Sequence, residues 1–155
     1  MKLSKDFTLD EFLISQTAER HGIDMTPGDE IIQNLSELVH VLLQPLRDFL
    51  GVPIVISSGY RPEALNKLIG GSPTSAHCNG RAADFRAFGF TPLEVCTEAK
   101  KALKLYDQNI HEFGRWTHLA IAKHPRMQDL TAFLNEEGRT TYVLGLHKVE
   151  DLRVH

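Results

Sequence analysis

The chain has 155 residues, 42% hydrophobic and 24% charged, with a formal net charge of −3, an ordinary balance for one soluble globular domain spanning 1–155. A chain of this length buries roughly 68–70% of the surface its unfolded form exposes, so it needs no disulfide staples, and Cys78 and Cys96 are too few for a disulfide framework. The slight acidity argues against nucleic acid or an anionic membrane surface as partner, no run approaches the roughly eighteen apolar residues of a membrane span, and Met1-Lys2-Leu3-Ser4-Lys5-Asp6 has no apolar stretch behind its charges, so a monomer made in the cytoplasm without a signal peptide is expected.

Thr8-Leu9-Asp10-Glu11 reads as a capping box opening a helix through about Arg20, with Phe12, Leu13 and Ala18 toward the core. Pro27-Gly28-Asp29 is a turn. From Glu30 to Leu50 apolar residues recur at helical spacing, which predicts the strongest helix of the chain, kinked at Pro45 and ended by Gly51. Pro53 to Ser57 reads as a buried strand, Arg61-Pro62 as the start of a short helix, and Gly70-Gly71-Ser72-Pro73 as a loop. Ala82 to Phe88 is a predicted strand with Ala82, Asp84 and Arg86 on one face and Ala83 and Phe85 on the other. A second capping box, Thr91-Pro92-Leu93-Glu94, opens a helix to about Leu105. Asn109 to Phe113 and Trp116 to Ala122 are predicted strands joined by a turn at Gly114-Arg115, Leu130 to Asn135 a short helix, and Thr140 to Leu146 a last strand. The expected architecture is α+β: N-terminal helices packed on a small, mostly antiparallel sheet.

The chemistry concentrates in Ser75-Ala76-His77-Cys78-Asn79-Gly80-Arg81-Ala82-Ala83-Asp84 and, downstream, Trp116-Thr117-His118. Two imidazoles and a carboxylate are ligand types that hold a catalytic zinc while leaving a position open for water. Gly80 permits the turn that returns the chain so that His77 and Asp84 can face one ion, and the segment between Asp84 and His118 can hold a helix and a strand before the third ligand arrives. Spacing alone is moderately specific, because the chain has 8 histidines. His21, His40, His124, His147 and His155 are read as surface or satisfied core residues. Cys78 follows a ligand but is read as a bystander.

The run Ser75-x-His77-x-x-Gly80-x-Ala82-x-Asp84 with Trp116-x-His118 resembles the signature of the zinc D-alanyl-D-alanine carboxypeptidase family. The likeness extends to Ser57-Ser58-Gly59-Tyr60-Arg61-Pro62, Asn66, Gly70-Gly71, Gln44-Pro45-Leu46-Arg47 and Phe7-Thr8-Leu9-Asp10-Glu11-Phe12, and so covers about residues 7 to 122. The resemblance implies that His77, Asp84 and His118 bind Zn2+ and that Arg61 points its guanidinium at the scissile carbonyl or a substrate carboxylate. It implies that Ser75 bonds substrate or steadies the ligand loop. Trp116 is expected to pack beside the ligand strand and form part of the substrate cleft.

One position departs from the family pattern. Many relatives carry Asp or Glu three residues before the last histidine ligand, where this chain has Arg115, which cannot accept a proton. The nearest acid is Glu112, which shares strand parity with Trp116 and His118 and is the expected base for the attacking water; His111 faces away by alternation.

The resemblance thus implies a zinc metallopeptidase acting on the stem peptides of bacterial peptidoglycan, as a D-Ala-D-Ala carboxypeptidase or an endolysin-type enzyme. Without a signal peptide it would reach the wall after phage or prophage lysis. Arg115 keeps a second reading open, a non-catalytic zinc-binding module of the same fold, such as the hedgehog signalling domain or a phage structural component. The segment beyond Lys123 is expected either to cover the cleft or to complete the sheet.

Overall fold

The computed structural model describes residues 1–152, so His155 lies outside the described residues. Its frame is a six-stranded sheet: β1 (Ile54–Ser58), β2 (Ala82–Ala87), β3 (Gln108–Glu112), β4 (Trp116–Ala120), β5 (Gln128–Leu134) and β6 (Thr140–Leu144), in the spatial order β1-β2-β4-β3-β5-β6. The helices are α1 (Gln16–Arg20), α2 (Asp29–Leu38), α3 (Gln44–Leu50), α4 (Glu63–Leu68), α5 (Pro92–Ala102) and α6 (Val149–Leu152). Among the described residues no helix is long and apolar enough to cross a membrane.

Strand alternation divides the molecule. Ala83, Phe85 and Ala87 of β2 and Leu119 of β4 point to one face, where they join Leu35, Leu38, Leu42, Leu46, Val95 and Ala99 in the main core. Asp84 and His118 stand directly opposite each other on the other face, left free of those helices. Ala83, Phe85, Ala87 and Leu119 thus close one face of β2 and β4 against the helices and leave the other for chemistry.

The expected 30–50 helix forms, and its irregularity has an identifiable cause. Residues 39–43 make a π turn between α2 and α3, just before Pro45. Proline has no N–H to donate and its ring collides with the carbonyl four residues back, so the widened turn absorbs the defect without breaking the axis. Gly51, at φ +70°, ends the helix as expected.

Three expectations need correction. The first capping box is real, with the Glu11 carboxylate accepting from Thr8 N–H at 2.6 Å, but it opens only a single 3-10 turn over Leu9–Phe12. The Phe12 carbonyl accepts instead from Tyr60 N–H at 2.8 Å, and Ser15 caps a separate α1 through its Oγ. The segment predicted as a helix from Leu130 to Asn135 is strand β5, because a short apolar run fits either period and tertiary pairing with β3 and β6 decides it. With β5 in place the sheet is mixed rather than mostly antiparallel: β3 and β5 run parallel. After β4 the chain crosses the end of β3, where Met127 N–H donates to Tyr106 O at 3.1 Å and Gln128 N–H to Asp107 O at 3.0 Å. Asp107 fastens this crossing by accepting from Arg126 Nε at 2.9 Å and Nη2 at 2.8 Å.

Candidate metal centre

His77 sits in a 3-10 turn, Ala76–Asn79, that Ser75 caps: its Oγ accepts from His77 N–H at 3.3 Å. Asn34 of α2 donates to Asn79 O at 2.8 Å, and Arg61 N–H donates to His77 O at 3.0 Å, tying the turn to its surroundings. Gly80 closes it at φ +69°, where a Cβ would also lie 3.0 Å from the Ile31 carbonyl, so both conformation and space favour glycine. The chain then enters β2 and delivers Asp84, while β4 delivers His118 to the same row of the sheet.

His77, Asp84 and His118 are all buried, and their ligand atoms lie within 4.8 Å of one another. Asp84 Oδ1 is 3.2 Å from His77 Nε2 and 2.9 Å from His118 Nδ1. Tetrahedral zinc with ligand bonds of about 2.0–2.1 Å separates its donors by about 3.3–3.4 Å, close to these spacings. His77 Nδ1–H donates to Gly59 O at 2.7 Å, which turns the unprotonated Nε2 toward Asp84 and the cluster. Gly59 must be glycine for this, because a Cβ there would stand 2.7 Å from Phe12 Cα. The donor set and its orientation therefore fit a divalent zinc ion.

The local electrostatics follow from burial and mutual contact. Burial pushes the His77 pKa down. Burial opposes ionisation of Asp84, yet the two imidazoles outweigh it and hold that carboxyl well below the usual range. Burial likewise works against a charged His118, but the Asp84 hydrogen bond and charge raise its pKa. Glu112 is shifted upward, chiefly by burial and with the Asp84 charge adding to it.

Glu112 lies on the cluster's face. Phe113, at φ +59°, and Gly114, at φ +70°, form the two central residues of a tight hairpin turn closed by Arg115 N–H to Glu112 O at 2.9 Å. The turn is thus centred one residue earlier than expected, and Glu112 pairs directly with Trp116 as Ile110 does with His118. Glu112 Oε1 is 3.7 Å from His118 Nδ1, and Glu112 Oε2 accepts from Trp116 Nε1–H at 3.1 Å. Arg115 is exposed on the turn. His111 faces the opposite side, where its Nδ1–H donates to His147 O at 2.9 Å.

A cleft of 670 Å³ opens over this face, lined among others by Arg61, Ser75, His77, Glu112 and His118, with Gly70 and Gly71 at its rim. Arg61 Nη2 is 3.9 Å from Asp84 Oδ2, and its buried Nε has no hydrogen-bond partner among the described residues. Trp116 is not among the lining residues; it packs against Phe113 at 5.6 Å between ring centroids and holds Glu112 in place. Cys78 lies outside the cluster. The segment beyond Lys123 does more than complete the sheet, since Thr140 and Tyr142 of β6 also line the cleft. Nothing in their local sequence marks them, because only the pairing of β6 with β5 brings them there.

A buried His-Asp-His set on the free face of an α+β sheet, beside a carboxylate in an open cleft, is the equipment of a metal-dependent hydrolase. Residues 5–120 match the peptidase M15 family, and the chain belongs to that family of metallopeptidases. Comparison with curated proteins gives no match.

Proposed function

We propose that this protein is a zinc-dependent peptidase that hydrolyses peptide bonds in bacterial peptidoglycan stem peptides, of D-Ala-D-Ala carboxypeptidase or endolysin type. The observation that carries the reading is the meeting of His77, Asp84 and His118 with Glu112 in one cleft, in a chain of the M15 family. His77, Asp84 and His118 hold the zinc. When bound, zinc supplies Lewis-acid polarisation of a carbonyl and eases deprotonation of water. Glu112 accepts the proton of the attacking water on Oε1 and returns it to the leaving amine. Burial raises its pKa, which makes it a stronger base for this proton. Trp116 keeps Oε2 occupied and so fixes which oxygen faces the reaction. Arg61, with a buried Nε that no group among the described residues satisfies, donates to the negative charge that develops on the scissile carbonyl oxygen or to a substrate carboxylate.

Glu112 in the cleft favours the enzyme over a non-catalytic zinc module, because Arg115 occupies the usual acid position without depriving the site of a carboxylate. Mass spectrometry of a defined muropeptide digest incubated with the zinc-loaded protein tests the reading and names the bond. Cleavage that a chelator stops and zinc restores is the expected result. One zinc per chain with no product from any wall fragment refutes the enzyme and leaves the module.

A further inference from the structure

The family match ends at residue 120, with β4, yet the cleft does not end there. Register carries the site face outward across the sheet: Glu112 pairs with Ala132 of β5, and Ala132 pairs with Tyr142 of β6. The next row runs His118, Ile110, Leu130, Leu144. Tyr142 therefore stands on the face of the metal-ligand cluster, two strands from Glu112 and about 10 Å from it between Cα atoms. The residue between them is fully buried Ala132, and both Glu112 and Tyr142 line the cleft. Arg61 follows β1 at one edge of the sheet and Tyr142 belongs to β6 at the other, so the ligands lie between two walls.

The outer wall presents what a soluble protein ordinarily covers. On the cleft face of β6, Tyr142 is 54% exposed and Leu144 78%, and Leu134 of β5 on the same face is 43% exposed. Of these residues Tyr142 lines the cleft, and Leu134 and Leu144 flank it on the same face, so what the cleft holds meets Tyr142 first. The phenol is a donor at neutral pH, and partial burial first and then the charges of Glu112 and Asp84 raise its pKa further.

We propose that the β5–β6 hairpin is the substrate-selecting wall of this site, where Tyr142 touches the bound wall peptide and its hydroxyl donates a hydrogen bond to a peptide oxygen. The inference rests on the peptidase reading above for the identity of the ligand. A stem peptide built of alanine, an acidic residue and a diamino acid offers methyl groups to Leu134 and Leu144 and carbonyl or carboxylate oxygens to the phenol.

The test compares wild type, Tyr142→Phe and Tyr142→Ala, zinc-loaded, on a purified stem peptide, by steady-state kinetics. Binding is measured in parallel by calorimetry in a Glu112→Gln background. Tyr142→Phe, which deletes one oxygen from an edge strand, is expected to raise KM and the dissociation constant about tenfold, with kcat within about twofold; Tyr142→Ala is expected to raise both further. Unchanged KM and unchanged binding in both variants overturn the hairpin's role while the peptidase stands. Peptide bound in a Tyr142-dependent way but not cleaved by wild type overturns the peptidase and leaves the hairpin's role intact. No binding and no cleavage by wild type overturns both.

Discussion

Replacing Glu112 by Gln isolates proton transfer from everything else the cleft does. The amide has the size and shape of the carboxylate, and its oxygen can still accept from Trp116 Nε1–H, which is 3.1 Å from Oε2 in the native protein. What disappears is the Glu112 carboxylate oxygen, 3.7 Å from His118 Nδ1, that accepts the proton. Loss of a positioned general base costs about 10²–10⁴ in rate, equivalent to about 2.7–5.4 kcal/mol of transition-state stabilisation. The larger figure is expected here, because the Glu112 side chain is only 13% exposed and burial has already raised its basicity. Neither the zinc ligands nor the core is touched, so zinc content stays at one per chain and the melting temperature is unchanged. The assay is kcat on a defined muropeptide alongside metal analysis of the same sample. A variant that retains more than about a tenth of wild-type kcat with zinc bound refutes Glu112 as the base.

Removing zinc with a chelator should abolish hydrolysis and lower the melting temperature. Zinc at 100 times its dissociation constant restores about 2.7 kcal/mol, roughly 5–10 °C for a chain of this size, and His77→Ala should lose that zinc-dependent shift. Gly59→Ala forces a Cβ to within 2.7 Å of Phe12 Cα and displaces the carbonyl that orients His77. A stability loss of about 1–3 kcal/mol and a 10–100-fold weaker zinc affinity are expected, and native affinity in a competition titration contradicts the orienting role. Asp107 is held below its ordinary pKa, first by the Arg126 hydrogen bond. A depressed folded-state pKa stabilises above the unfolded value of about 3.9 and loses that contribution as pH falls through the folded value. Asp107→Asn should therefore melt below wild type at pH 7, with the gap closing toward pH 3; an equal gap at both pH values argues against the ion pair.

Much of the frame was legible because it is local. The helix from residue 29 to 50 follows from its apolar period and its glycine end, and the strand carrying Asp84 from alternation. Even the disturbance at Pro45 was readable as a defect, although its relief by a π turn rather than a kink was not. The N-terminal capping box misled, because the Phe12 carbonyl that would have continued the helix is taken by Tyr60 from a distant strand end. β5 was misread for a related reason: Leu130 to Leu134 fits a helix or a strand, and only the parallel partner β3 decides between them.

The site divides along the same line. Ligand types, their order and the turn at Gly80 are carried by short segments, and together with the family resemblance they pointed to His77, Asp84 and His118, which the fold brings within 4.8 Å of one another. The tertiary structure alone decided that the hairpin turn sits at Phe113-Gly114, which puts Glu112 in register with Trp116 and on the cluster's face. It alone decided that Trp116 positions Glu112 instead of lining the cleft. It also brought Tyr142 into the cleft through two successive strand pairings. The physical reason is the reach of each interaction: capping, turn formation and periodicity act over a few residues. Strand order is set by which hydrophobic faces close over one another, and no short segment carries that information.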